Sequence, residues 1–291
     1  MADFKRNLKW YLVVLLLGVT AMIWQAVLAQ NDRNLKVAFL DIGQGDAIFI
    51  ESPTGKQVLI DAGPPGKLMN ALSTVMPYYD HLIDLIILTH PDQDHIAGFV
   101  DLLQNFKIGA VLESGVTSST KVYQTVEGII KDKEIPDYKA RRGTVVDLGG
   151  GAHIDILFPD QDVSNKETNE ASIVARLVYG DNSVLLQGDS PQIIEKYLIK
   201  LDKISPFSSL KSDILKAGHH GSKTSTSSEY VDIVSPYYAI ISAGKDNKYG
   251  HPDQEILKTL KDKDVQILRT DELGTIIFTS DGRDFTYKTT K

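Results

Sequence analysis

Residues 85–98 read LIILTHPDQDHIAG, an apolar run that ends in two histidines and two aspartates within six positions. The chain holds only seven histidines in 291 residues, so placing His90 and His95 around Asp92 and Asp94 calls for a chemical reason. An apolar run of this kind reads as a buried strand. A tight turn leaving that strand and entering a helix aims alternate side chains at common points. His90 and Asp92 then face one centre, and Asp94 and His95 its neighbour. Imidazole nitrogen with carboxylate oxygen suits divalent ions such as zinc or manganese. The competing reading is a solvated turn in which Asp92 or Asp94 caps a helix starting near Ala97.

Other strand ends carry the same residue types. VLIDAG ends a strand with Asp61, VLLQGDS ends one with Asp189, and ILKAGHHGS ends one with His219 and His220. One sheet edge therefore collects Asp61, His90, Asp92, Asp94, His95, Asp189 and His219. So many ionisable groups in one place repel and desolvate one another unless cations neutralise them.

The rest of the chain supplies alternating strands and helices. VAFLDI, DAIFIES and QVLIDAG read as three consecutive strands. Helices are expected over residues 67–79, 97–106 and 121–133, a short strand near Val111, and a strand pair through 137–158. SIVARLVYG and NSVLLQGD form a hairpin around Gly180, Asp181 and Asn182. Helices follow over 191–202, 225–234 and 253–262, with strands near Tyr238, Val265 and Ile276. This pattern predicts one α/β domain over residues 36–291, made of two similar halves, each a sheet with helices on one side.

Composition narrows the chemistry. The 42% hydrophobic and 24% charged fractions belong to an ordinary globular chain with a sizeable core. There is no cysteine, which excludes disulfides, thiolate metal sites and cysteine nucleophiles. A net charge of −7 gives no overall signal for nucleic acid, although a local basic patch is compatible with it. Ahead of the domain, residues 10–29 run without a charge from Trp10 through Ala29, after Lys5, Arg6 and Lys9 in the segment 1–9. That length suffices for a transmembrane helix, and the cations favour a cytoplasmic N-terminus. Val27 and Ala29 offer a signal-cleavage alternative. Either way residues 30–35 form a linker and the domain lies outside the cytoplasm, tethered to the cell membrane or secreted.

Taken in order, LIDAG, THPDQDH, LLQGD and AGHHGS resemble the metallo-β-lactamase superfamily of metal-dependent hydrolases. FLDIGQGDAIFIESPTGKQVLIDAG, TNEASIVARL, GHHGSKTS and NKYGHP resemble more closely the extracellular nuclease-like domain of ComEC competence proteins. The resemblance spans about residues 36–287. It implies an αββα sandwich with a site for two divalent metal ions at one edge. It further implies a first metal held by His90, Asp92 and a shared Asp189, helped by Asn169. The second would be held by Asp94, His95, Asp189 and one histidine of GHHG, taken as His219, with His220 facing substrate. Asp94 and His220 are then the catalytic pair, and Asp61 supports the site from behind. Here Asp92 stands where the wider superfamily has a second histidine, and no histidine precedes the strand ending in Asp189. The first position is thus richer in oxygen, which shifts its preference toward manganese.

This site implies hydrolysis: paired cations lower the pKa of a bridging water and bind the charge developing on an attacked phosphate. DNA is the substrate the resemblance favours, with small esters of the phosphorylcholine type as the alternative enzyme reading. A non-catalytic accessory role in DNA uptake is the third, and any uptake role would need a separate channel protein as partner. Ser222 and Lys223 are candidate phosphate contacts, and His251 in NKYGHP a candidate substrate contact. GQGD, Gly43 to Asp46, reads as a structural turn. His81 and His153 read as ordinary histidines. Lys139 to Gly143 with Lys216, Lys223, Lys245 and Lys248 are weighed as a nucleic-acid path against a plain solvated surface.

Overall fold

The computed structural model describes residues 2–31, 34–204 and 209–291, the side chains of residues 2–6, 23 and 25–31 excepted. A first helix, α1 (Ala2–Asn31), precedes the domain. Among the described residues no helix is long and apolar enough to cross a membrane, so the span expected at residues 10–29 is not borne out as one. The side chains of Val27 and Ala29 and linker residues 32 and 33 lie outside the described residues.

The domain is built from two mixed sheets lying face to face. Strands β1 (Leu35–Phe39), β2 (Ile48–Glu51) and β3 (Gln57–Ile60) form an antiparallel meander. After α2 (Leu68–Leu72) come β4 (Leu82–Leu88), α3 (Gln93–Ile96), α4 (Gly98–Asn105), β5 (Lys107–Glu113), α5 (Lys121–Asp132) and β6 (Asp137–Lys139). β3 to β6 run parallel to one another. The second sheet begins with β7 (Val145–Gly149), β8 (Ala152–Phe158), β9 (Val174–Tyr179) and β10 (Asn182–Gln187), all antiparallel neighbours. It continues through α6 (Gln192–Ile204), β11 (Ile214–Lys216), α7 (Ser228–Val234), β12 (Tyr238–Ile241), α8 (Gln254–Lys261) and β13 (Gln266–Arg269). Here β10 to β13 are parallel. A short α9 (Thr270–Leu273) leads to β14 (Ile276–Ser280) and β15 (Phe285–Thr289), which return to the first sheet beside β1.

Side-chain alternation explains the layering, because successive residues of a strand face opposite sides. In β1, Val37 and Phe39 point between the sheets, while Ala38 points to the helices. In β10, Val184 and Leu186 point between the sheets and Leu185 toward the second helical layer. Three apolar layers result: α2–α5 against the first sheet, sheet against sheet, and α6–α8 against the second. Phe39 and Phe278 meet edge-on at 6.2 Å in the middle layer. Truncating a ring so buried, as in Phe39→Ala, costs about 3–5 kcal/mol.

The expected αββα architecture is present, with two differences in detail. The helix expected over 67–79 stops at Leu72. Ser73 and Thr74 donate their hydroxyls to the carbonyls of Asn70 and Ala71, local bonds that compete with continued helix, and Pro77 follows. The two halves also exchange strands: β6 belongs to the first sheet while β7 and β8 open the second, and β14 and β15 cross back. Four consequential strand ends, those of β3, β4, β10 and β11, reach the same rim, where parallel α/β sheets place their sites.

Candidate metal centre

His90 lies two residues past the end of β4 and is 1% exposed; His95 lies in α3 and is fully buried. Asp92 sits at the N-cap of α3 but makes no capping bond, so its carboxylate is left for the rim. Asp61, after β3, fixes both imidazoles at once. It accepts from the Thr89 N–H at 2.9 Å and the Thr89 hydroxyl at 2.7 Å, and from Nδ1 of His95 at 2.7 Å. With its proton given to Asp61, the Thr89 oxygen accepts from Nδ1–H of His90 at 3.0 Å. In the neutral form each ring then carries its lone pair on Nε2, the tautomer a metal needs.

The second sheet completes the cluster. Asp189, held by its N–H to the Ser172 hydroxyl at 3.1 Å, stands between the rings. Its Oδ1 is 3.3 Å from His95 Nε2, and its Oδ2 is 3.8 Å from His90 Nε2, 3.5 Å from His219 Nε2 and 3.7 Å from His220 Nε2. His220 donates Nδ1–H to the Ser242 carbonyl at 3.1 Å and turns Nε2 to within 3.4 Å of Asp94 Oδ2. Asp92 Oδ2 is 3.7 Å from His90 Nε2. Nε2 of His90, His95 and His220, Oδ1 of Asp189 and Oδ1 of Asn169 are all buried without a hydrogen-bond partner. Orphaned buried polar atoms are costly, and cations at the cluster would satisfy the three imidazoles and Asp189. The residues present therefore fit divalent metal.

Electrostatics agree. Burial and the charge of His95 push His90 down to about 4. Burial would lower His95 and His220 too, but Asp189 with Asp61 holds His95 well above its ordinary value, and Asp189 with Asp46 pushes His220 up to about 9. Burial raises Asp92. Against burial, His220 and His95 bring Asp94 down to about 2, and the same imidazoles hold Asp189 well below the carboxylate range. Such mutual perturbation at a sheet rim marks a functional site.

The sequence-predicted residues mostly converge. Asp92, Asp94, Asp189, His219, His220 and His251 line one cleft with Gln44 and Tyr249. Between the two histidines of GHHG the buried position belongs to His220, whereas the His219 side chain is 28% exposed. Ser222 is occupied within its own turn, accepting from the N–H and hydroxyl of Thr224. Lys223 is exposed, and its N–H donates to Asp253 at 2.7 Å. His81 packs on Phe106 away from the centre.

Several residues escaped the sequence reading. Asp46, read as part of a structural turn, is buried against His220 and His95. Lys216, weighed as part of a surface path, is fully buried and ion-paired with Asp46. A lysine inside the apolar strand DILKAG was the available signal, since buried lysines need a partner. Thr89, Ser172 and the Ser242 carbonyl carried no signal of their own. Lys139 pairs with Glu113 and Asp137, and Arg141 and Arg142 donate to backbone carbonyls, so this basic run is engaged in holding its own loop.

The geometry is that of a metal-dependent hydrolase fold, and the family comparison agrees. The profile of the metallo-beta-lactamase superfamily matches residues 40–245, and the chain belongs to that superfamily. It is similar to ComE operon protein 3 of Bacillus subtilis, 32% identical over 295 residues, covering 95% of this chain and 37% of the relative. Competence protein ComA of Neisseria gonorrhoeae is 26% identical over 94% of this chain and 36% of the relative. The chain thus spans little more than a third of these relatives. Among solved structures, the metallo hydrolase Igni18 of Ignicoccus hospitalis superposes with a TM-score of 0.54 at 14% identity, over 84% of this chain and 98% of that one. CmlA, a diiron β-hydroxylase of Streptomyces venezuelae, gives 0.54 at 17% identity over 82% and 53%. Both likenesses concern the fold.

Proposed function

We propose that this chain is a metal-dependent phosphodiesterase acting on DNA, and that two metal positions share Asp189. The carrying observation is the buried set of Nε2 atoms of His90, His95 and His220, none with a hydrogen-bond partner, around one carboxylate. His90, Asp92 and Asp189, with Asn169 Oδ1, would hold one ion, and Asp94, His95, Asp189 and His220 the other. Bound divalent ions supply Lewis acidity toward a phosphoryl oxygen and a lowered pKa for water. The first position, rich in oxygen, favours manganese over zinc.

The chain's own groups do the remaining work. Asp61 and Thr89 keep two imidazoles in one tautomer. His219, part-exposed with Nε2 beside Asp189, is the group open to the cleft and suited to protonating a leaving oxygen. Tyr249 is 56% exposed at the cleft mouth, with the Lys248 ammonium 4.9 Å from its ring and His251 stacked at 5.8 Å. An exposed ring beside a cation is suited to stacking a base and meeting its phosphate. The similarity to competence proteins supports DNA as the substrate. The net charge of −7 opposes it only weakly, since distant carboxylates are screened beyond roughly 10 Å.

We further read the domain as extracytoplasmic, tethered through residues 10–29. What supports this is an uncharged run whose described side chains, Trp10 to Leu17 and Met22 among them, are exposed. Uptake of DNA would need a separate channel protein.

The test offers purified protein single-stranded and duplex DNA, a phosphodiester dye ester, phosphorylcholine esters and a β-lactam, each with manganese or zinc. Cleavage of DNA that vanishes in His95→Ala supports the reading. Intact DNA beside turnover of a small ester replaces it with a small-ester hydrolase. Binding of DNA without any turnover replaces it with an accessory module.

A further inference from the structure

Two neighbouring histidines compete for one carboxylate oxygen. Nε2 of His219 lies 3.5 Å and Nε2 of His220 3.7 Å from Oδ2 of Asp189. Both residues adopt left-handed backbone, with φ of 48° and 55°, so the backbone alone does not choose between the rings. What differs is the support behind each. Nδ1 of His219 meets only the Thr224 hydroxyl, at 3.0 Å. Nδ1 of His220 meets the Ser242 carbonyl and, at 3.4 Å, Oδ1 of Asp46.

Asp46 is itself anchored to Lys216. They are 1% and 0% exposed, and among the described residues no other lysine or arginine is buried. A buried ion pair is poor evidence of stability, because apolar replacements of similar size often do as well. Its placement is more telling. Oδ2 of Asp46 lies 3.9 Å from Nδ1 of His95, and Oδ1 has no hydrogen-bond partner. The turn that delivers it is seated on the centre: Gly45 has φ +125°, and a Cβ there would stand 2.0 Å from the Asp94 carbonyl oxygen. Burial opposes ionisation of Asp46, but Lys216 and His220 outweigh it and keep the carboxylate charged.

We propose that the Asp46–Lys216 pair is a positioning device that selects His220, in preference to His219, for the Asp94–Asp189 cluster. The carboxylate, 3.4 Å from Nδ1 of His220, favours the hydrogen on that nitrogen, where the Ser242 carbonyl accepts it, and so keeps Nε2 pointed at the cluster. The lysine cancels the added charge, so Asp46 does not compete with Asp61 for His95. Carboxylates placed behind a ligating imidazole in this manner orient it and raise its basicity. This inference rests on the placement of His220 under the proposed function.

The experiment uses the full chain and measures manganese and zinc affinity by chelator competition, with Tm as a second readout. The variants are Asp46→Ala, Lys216→Met, their combination, and His219→Ala or His220→Ala in the wild-type and Asp46→Ala backgrounds. Lys216→Met leaves a buried carboxylate uncompensated and lowers Tm, and removing both charges restores it. Affinity, in contrast, stays reduced by about 10- to 100-fold in the double variant. His219→Ala costs little in the wild type and becomes costly once Asp46 is absent. A double variant with wild-type metal affinity would make the pair purely structural and overturn the proposal, as would a His219→Ala effect equal in both backgrounds. His220→Ala with unchanged affinity in the wild-type background would instead remove His220 from the centre, and the pair's role with it.

Discussion

Two turns deliver histidines to this centre, and they are built differently. After β4, the chain enters α3 in ordinary extended and helical conformations, with His90 and Asp92 in the lead-in and Asp94 and His95 in the helix itself. After β11, both His219 and His220 lie in the left-handed region, where a non-glycine residue is uncommon. The first turn is a regular structure with ligands written onto it. The second is a strained one, and such residues persist where surrounding contacts over-determine them. Here those contacts include the Gly188 carbonyl, which accepts from the His219 N–H, and the Ser242 carbonyl, which accepts from Nδ1 of His220. Regular geometry makes side-chain direction readable; left-handed geometry hands it to the neighbours.

The strongest challenge to this contrast is Asp189→Ala, since both turns point their imidazoles at that carboxylate. It should weaken metal binding by more than about 100-fold, beyond the loss from an outer partner, and bring hydrolysis to background. Metal analysis after dialysis checks it, and retained stoichiometric metal would mean the turns do not share a ligand. Next in size is the difference within GHHG. His220→Ala should cost about 10- to 100-fold in metal affinity or more, and His219→Ala less than about 3-fold, while lowering turnover of substrates with poor leaving groups. Equal losses would erase the distinction between the two rings.

A smaller effect comes from pH. Metal binds neutral imidazole, and in the metal-free protein His220 is pushed up to about 9. Binding must then displace its proton and that of His95, which Asp189 and Asp61 also hold well above its ordinary value, so affinity should rise by about tenfold or more per pH unit between 7 and 8. For the metal-free protein the sign reverses. The stability His220 contributes is present below its unfolded value of about 6.5 and lost as pH rises through about 9. Titration calorimetry across pH, in buffers of different ionisation enthalpy, counts the proton; flat affinity from 7 to 9 would contradict it. The smallest effect tests the strained turn itself. Gly221 has φ +81° and a Cβ there would approach Pro252 to 2.6 Å. Gly221→Ala should destabilise by about 1–3 kcal/mol, read as a shift in the denaturant midpoint. A comparable loss from Gln93→Ala in the first turn would remove the contrast.

Much of the fold was legible because strand and helix periods leave a local record. The apolar runs ending in Asp61, His90, Asp189 and the GHHG histidines marked the ends of β3, β4, β10 and β11, and so the rim where the centre sits. The exchange of strands between halves was not legible. Nothing in IIFTS tells β14 that its partner is β1, 241 residues earlier, by the register Phe39 to Ile276 and Leu35 to Ser280; pairing depends on which edge is exposed once the rest has packed. The shortened α2 reflects hydroxyl bonds local enough to read in hindsight.

The sequence by itself determined which residue types meet: histidines and carboxylates with no thiol, spaced so that strand ends present them together. Only the tertiary structure decided their roles. Asp46 and Lys216 are 170 residues apart and become partners because the first turn of one sheet is laid against the end of β11 in the other. Which nitrogen of each imidazole is bare, and which of two adjacent histidines is buried, depends on Asp61, Thr89, Ser242 and Asp46 arriving from four separate segments. Spacing along a chain fixes direction only within one regular element; between elements, hydrogen bonds and exclusion of water fix it.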